Sequence, residues 1–307
     1  MTTTKENDLI DTGESSINLP SYATPGPPIL HPTVTTWQWL FSSSDMTHTP
    51  TVVHSGLSLD DEKYCRWKGV QLIFRIGEYM RLGNHVMTTA SIFFQRFYMR
   101  RALPKDARER VHDSFTFQEM APSCVFLACK VEETQRKLHF VVEATMAVLD
   151  RSPQGIELTE SRSFKADMNG REYGRWKDLI LLYEERLLEA LCFDLIVEQP
   201  HPIAIKGCKR LHTSRDMAQL TIVLLNSLLY GAVCTFYDAA VLAAGAFQKA
   251  CNLVEVDPFS FADQLDTSHT WFDAFDVDPE EVEGTFCRIC TLFADIELRC
   301  ILKLQRL

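Results

Sequence analysis

The sequence contains no run of about 18 apolar residues, the length at which a stretch reads as a membrane-crossing helix, so nothing in it is expected to span a membrane. Its opening, Met1 to Glu14, is polar and acidic and lacks the charged-then-apolar pattern of a secretory signal. Basic charge is scarce: 31 Lys and Arg stand against 41 Asp and Glu, for a net charge of −10. Binding a phosphate backbone needs clustered cations, so direct nucleic-acid binding is not expected. The ten cysteines form no dense framework of the kind that staples small secreted domains. Most lie in apolar stretches, where a free thiol acts as a small hydrophobe. These absences predict a reduced, intracellular, soluble protein.

Familiar chemistry is missing too. There is no glycine-rich phosphate loop, no Gly-x-Ser-x-Gly elbow and no His-Glu-x-x-His pair. Cys287 and Cys290 match a lone CxxC, but a zinc site wants four ligands and a redox site wants a βαβ context. They read better as two core cysteines of an amphipathic helix. The carboxylate pairs Glu132-Glu133 and Glu184-Glu185 suit acid–base work in principle. On helix surfaces such pairs more often face solvent or an ion-pair partner. No catalytic residue, cofactor or metal is expected, and the balance tips toward a binding protein.

What is present is helical periodicity. Hydrophobic residues make up 46% and charged residues 23%, enough for a sizeable core. Residues 1–36 are rich in Ser, Thr and Pro and predict a disordered tail. Order is expected to begin at the apolar cluster from Trp37 to Phe41, followed by an extended stretch around Thr49-Pro50. Ser58 and the acidic residues after it mark a helix start. Val70, Ile73, Phe74, Gly77 and Met80 then keep the i, i+3, i+4, i+7 spacing of a buried face. The same pattern recurs near 86–97, 117–130, 137–149, 173–195, 220–228 and 241–247. In a last helix it links Val282, Phe286, Ile289, Phe293, Ile296, Cys300 and Leu304. Residues 102–114 and 151–172 read as loop insertions. The expected fold class is all-α, with two tandem repeats of about five helices: an N-terminal one over 37–199 and a second over 200–307.

Several strings, in order, resemble the cyclin box. They are Arg66-Trp67-Lys68-Gly69-Val70-Gln71-Leu72-Ile73-Phe74, Gln95-Arg96-Phe97-Tyr98-Met99, and Phe126-Leu127-Ala128-Cys129-Lys130-Val131-Glu132-Glu133-Thr134. The segment from Glu184 to Phe193-Asp194-Leu195 and on to Pro200 completes them. They are similar to the transcriptional cyclins, a branch that includes cyclin K and the cyclin subunit of the fungal polymerase-tail kinase. Residues 203–307 match only in helical pattern. The resemblance implies a nuclear regulatory subunit without catalysis of its own. Its partner would be a cyclin-dependent protein kinase that acts on the C-terminal domain of RNA polymerase II in transcription elongation.

By motif, the resemblance places kinase-binding roles on Lys130 and Glu184, with Val131, Leu188, Phe193 and Leu195 pressing on the kinase C helix. Val131, Phe193 and Leu195 suit a fold core equally well, and Glu185 adjoins Glu184. Arg66 takes the place of the buried cyclin-box arginine, which implies a structural role linking the first, third and fifth helices. Gln95 stands where the family usually carries His or Asp, so the polar network there has to be rebuilt. Glu132 and Glu133 resemble the family's acidic pair, and the resemblance assigns no contact to either. The alternative reading is a cyclin-fold general transcription factor that binds polymerase and promoter DNA. That reading would want a basic face and a zinc ribbon. A helical enzyme is a third reading, with no constellation behind it.

Overall fold

The computed structural model describes residues 37–105, 114–150, 166–264 and 270–280. The expected tail 1–36, the last helix with its Cys287 and Cys290, and most of both insertions lie outside these residues.

The described residues are helical throughout, with a lone bridge between Ala102 and Ser114 and no strand. A short helix α1 (Ser43–Thr47) leads into α2 (Leu59–Tyr79), α3 (Asn84–Tyr98), α4 (Phe117–Val131), α5 (Leu138–Asp150) and α6 (Arg171–Ala190). Then follow α7 (Pro200–Arg210), α8 (Arg215–Leu229) and α9 (Ala239–Leu253), with short 3-10 turns at Ala232–Thr235, Pro258–Gln264 and Trp271–Phe275. Helices α2 to α6 are the five expected of the first repeat. Of the second repeat, α7 to α9 fall among the described residues.

Two separate main cores account for this division. The first gathers Trp39, Ile73, Phe93, Phe94, Phe97, Met120, Val125 and Leu187 around α4. The second gathers Leu225, Phe247, Trp271 and Phe275 around α9. Helix α4 sits centrally because its sequence is apolar all round, as a helix buried by neighbours on every side must be. Every residue from Glu119 to Cys129 is buried. Close approach of α2 to α3 depends on Gly69, where a Cβ would lie 2.0 Å from the Phe94 ring.

Three expectations need correction. The stretch around Thr49-Pro50 is not extended. Ser42 and Asp45 form a reciprocal capping box that starts α1, and a wide turn over Thr51–Ser55 follows. Thr49 is buried and its hydroxyl donates to Glu62. Helix α6 stops at Ala190, short of Leu195, because Cys192 and Phe193 both take positive φ (51° and 59°). The amides of Cys192 and Phe193 return to Glu189 and Leu188 at 3.0 Å each, a Schellman closure.

The third correction concerns Arg66, which is buried as expected. Its Nη2 lies 2.7 Å from Glu62, and its guanidinium donates to the carbonyl of Tyr98 at 2.6 Å and to Oε1 of Gln95 at 3.3 Å. Its polar partners among the described residues therefore lie on α2 and α3, not on the third and fifth box helices. Among the described residues the polar partners of Arg66 lie one turn back and on the adjoining α3, and the α4–α6 contact has polar links of its own, among them Ser123, Glu119 and Tyr183. Ser123 donates to the carbonyl of Ile180 at 3.2 Å, and the Tyr183 hydroxyl donates to Glu119 at 3.0 Å.

Candidate functional site: the α4–α6 face

Lys130 occupies the last turn of α4, where a cation offsets the negative end of the helix. Its ammonium donates to both carboxylate oxygens of Glu184 on α6, at 2.6 and 2.8 Å, and lies 4.1 Å from the Phe126 ring centroid. The Glu184 side chain is 11% exposed, while that of Lys130 is 47% exposed. With Lys130 half-exposed and Glu184 buried, the pair lies between a solvated ion pair, worth about 1 kcal/mol or less, and a buried one, where stranding one partner costs about 3–5 kcal/mol. Two of the three ammonium protons are engaged, which leaves one donor for a further acceptor.

The apolar candidates divide. Val131, Leu188 and Leu195 are partly buried against the first core, so they serve the fold while showing an edge. Phe193 is 70% exposed, held outward by the left-handed closure of α6. Leu181, which the motifs did not flag, is 43% exposed and shares a stripe with Glu184 and Leu188 at i, i+3 and i+7. That spacing is visible in the sequence; only its exposure is not.

Behind this face lie polar contacts that fix the backbone. Trp39 is buried, and its indole N–H donates to Oδ2 of Asp194 at 2.8 Å, with Gln38 donating to the same oxygen. Asp194 immediately follows Phe193, so the entry segment anchors the turn that carries it. Glu132 accepts from Thr89 at 2.6 Å and from Gln199 at 3.1 Å, tying α4 to α3 and to the linker before α7. Glu133 is exposed with a φ of 51°. Gln95 rebuilds the expected network across the junction: its amide donates to the Leu229 carbonyl at 3.3 Å while its oxygen accepts from Arg66.

The buried cysteines among the described residues behave as packing residues. Burial pushes the Cys129 thiol up to about 11 and those of Cys234 and Cys251 up to about 12, which keeps them protonated at neutral pH. Among the described residues no cluster of His, Cys, Asp or Glu is arranged to hold a metal, and no helix is long and apolar enough to cross a membrane.

The family model for the N-terminal domain of cyclins matches residues 39–196, which contain Lys130, Val131, Leu181, Glu184, Leu188, Phe193 and Leu195. The chain belongs to the cyclin family. It is 31% identical over 262 residues to Cyclin pch1 of Schizosaccharomyces pombe, covering 85% of this chain and 70% of that one. Cyclin-T1-3 of Oryza sativa is 26% identical over 83% of this chain, which spans 48% of that relative's length. Cyclin-T2 of Homo sapiens is 27% identical over 70% of this chain and 27% of its own length. Among solved structures, a chain of the yeast RNA Pol II CTD kinase CTDK-1 complex superposes with a TM-score of 0.64 at 15% identity, covering 84% of this cyclin and 74% of that chain. A chain of the CAK complex of Chaetomium thermophilum gives 0.52 at 15% identity, covering 84% and 78%. At that identity the two structures speak to the fold alone.

Proposed function

We propose that this cyclin is the regulatory, non-catalytic subunit of a transcriptional cyclin-dependent kinase, acting in the nucleus on the C-terminal domain of RNA polymerase II. The observation that carries the proposal is the Lys130–Glu184 pair, whose ammonium is half-exposed on the face that also shows Leu181 and Phe193. A charged pair framed by apolar edges suits a helix that offers backbone carbonyls and amides together with apolar side chains. Val131 and Leu195 complete the apolar edge. Kinase activation requires the C-helix Glu to pair with the β3 Lys, so a partner that fixes that helix governs phosphoryl transfer. The cyclin would bind the C-helix-in state more tightly and shift the kinase population toward it.

Support comes from similarity to Cyclin pch1 and the Cyclin-T proteins, and from the fold shared with a chain of a polymerase-tail kinase complex. In this reading residues 37–199 form the kinase-facing repeat and 200–307 the second repeat, in a heterodimer or larger complex that does not contact nucleic acid directly. Affinity purification of the tagged chain from its own cells, followed by mass spectrometry, tests it. A co-purifying cyclin-dependent kinase that phosphorylates polymerase-tail peptide is expected. Recovery of polymerase and promoter factors without a kinase would overturn the proposal in favour of the transcription-factor reading.

A further inference from the structure

The last turn of α4 is held from outside its own helix. Glu132 ends that turn, its amide returning to the Ala128 carbonyl at 2.9 Å, and Glu133 then redirects the chain with a φ of 51°. Lys130 lies two residues before Glu132, so fraying of this turn would carry its ammonium away from Glu184. The Glu132 carboxylate opposes that fraying. It accepts from the Thr89 hydroxyl of α3 at 2.6 Å and from the Gln199 side chain at 3.1 Å.

Gln199 is where the second repeat meets this turn. Its side-chain nitrogen also donates to Thr89 Oγ1 at 2.9 Å and to the His85 carbonyl at 3.1 Å. Two protons thus serve three acceptors. Thr89 is fully buried; it accepts from Gln199 and donates to Glu132, so each bond polarises the next away from water. Local sequence fixes the direction from which Gln199 arrives. Pro200, the first residue of α7, disfavours helical backbone at the residue before it, and Gln199 is extended at φ −93° and ψ 130°. Gln199 stands at the N-cap of α7, yet its side chain makes no cap bond there. Its backbone starts the second repeat while its side-chain bonds reach back to the first.

We propose that Gln199 is a positioning residue for kinase activation, through which the start of the second repeat holds the Lys130 turn in place for the kinase. It acts through Glu132 and not by touching the kinase. A chain whose turn is frayed part of the time presents less of the binding-competent form. That raises the concentration needed for binding without altering the complex once formed. The proposal rests on the kinase-partner reading, and adds that the second repeat sets the strength of a contact made by the first.

Two readouts on the full chain test it. Hydrogen–deuterium exchange of residues 128–132 follows the turn directly, without a kinase. Titration of the kinase with cyclin, assayed on polymerase-tail peptide, follows activation. In Gln199→Leu, which keeps the bulk and loses the donors, exchange over 128–132 should rise about tenfold, while residues 119–125 in the middle of α4 keep the parent's rate. The cyclin concentration for half-maximal activation should rise by about tenfold too, with the rate at saturating cyclin unchanged. Glu132→Gln/Gln199→Glu exchanges acceptor and donor, and should return both readouts to within about threefold of the parent. Exchange at the parent's rate in folded Gln199→Leu, or an unchanged half-maximal concentration, would overturn the proposal. So would a double variant no better than either of its single changes. If the parent activates no kinase, the regulatory reading falls; if it does, and Gln199→Leu activates at the same concentration, only the role of Gln199 falls.

Discussion

The indole N–H of Trp39 reaches 2.8 Å to the carboxylate of Asp194, across 155 residues of sequence, and so locks the entry segment to the turn that presents Phe193. The guanidiniums of Arg96 and Arg100 lie 5.0 and 5.2 Å from the same ring. Trp39→Phe keeps the buried ring and loses the hydrogen bond to a charged acceptor, so it should cost about 1.5–3 kcal/mol. It should weaken kinase binding further by loosening the Phe193 turn. Thermal melts together with calorimetric titration against the kinase separate the two effects, and unchanged affinity would show that the turn holds without Trp39.

Gly69 and Gly77 both lie on α2, yet they should respond differently. An added methyl at Gly69 meets the Phe94 ring, whereas at Gly77 it meets the flexible end of Met87 at 2.4 Å. Gly69→Ala should cost about 1–3 kcal/mol through overpacking. Gly77→Ala should cost less, because Met87 can change rotamer and alanine favours the helix by about 1 kcal/mol. Denaturant midpoints measured side by side decide the order.

Arg66 and Glu62 are both almost fully buried, so removing one partner strands a charge. Arg66→Met should destabilise by about 3–5 kcal/mol, and Arg66→Met/Glu62→Leu should recover part of that loss. Thr49, which donates to Glu62, would keep some cost in the double variant. A double variant no better than the single one would contradict this account of the pair.

His201 links the two repeats at α7: its Nε2 bonds Oδ1 of Asn226 at 2.9 Å, and the Thr88 hydroxyl lies 3.5 Å from its Nδ1. Burial holds its pKa below the usual 6.5, so the folded state binds fewer protons than the unfolded one. Stability is therefore full above about pH 6.5 and falls as the pH drops from there toward the lowered folded value. Glu198 and Asp238 act in the opposite direction at lower pH, because burial raises both. His201→Gln should flatten the slope just below pH 6.5, as followed by melting temperature against pH.

Much of the fold is legible in the sequence. The periodicity of Val70, Ile73 and Phe74 and the apolar run from Phe117 to Lys130 mark α2 and α4, because burial on one or all sides leaves a pattern along the chain. The strings around Lys130 and Glu184 single out both residues, while their pairing with each other is visible only in the folded chain. Three features are not legible, each for a physical reason. The end of α6 turns on left-handed backbone at Cys192 and Phe193, residues that do not advertise positive φ as glycine does. The Trp39–Asp194 bond and the Glu119–Tyr183 link join residues far apart in sequence, which no local pattern encodes. The partners of Arg66 depend on how α2 packs against α3, and only the packed helices fix them.

The most direct test of the regulatory role is activation of the co-purified kinase by the Lys130→Ala/Glu184→Ala double variant, assayed on polymerase-tail peptide. Both charges are removed together, so no unpaired buried charge is left and the variant should stay folded, as a thermal melt checks. Its affinity for the kinase and the resulting activity should nevertheless fall by an order of magnitude or more. A folded double variant that activates the kinase as well as the parent would contradict the assignment of this face to the kinase.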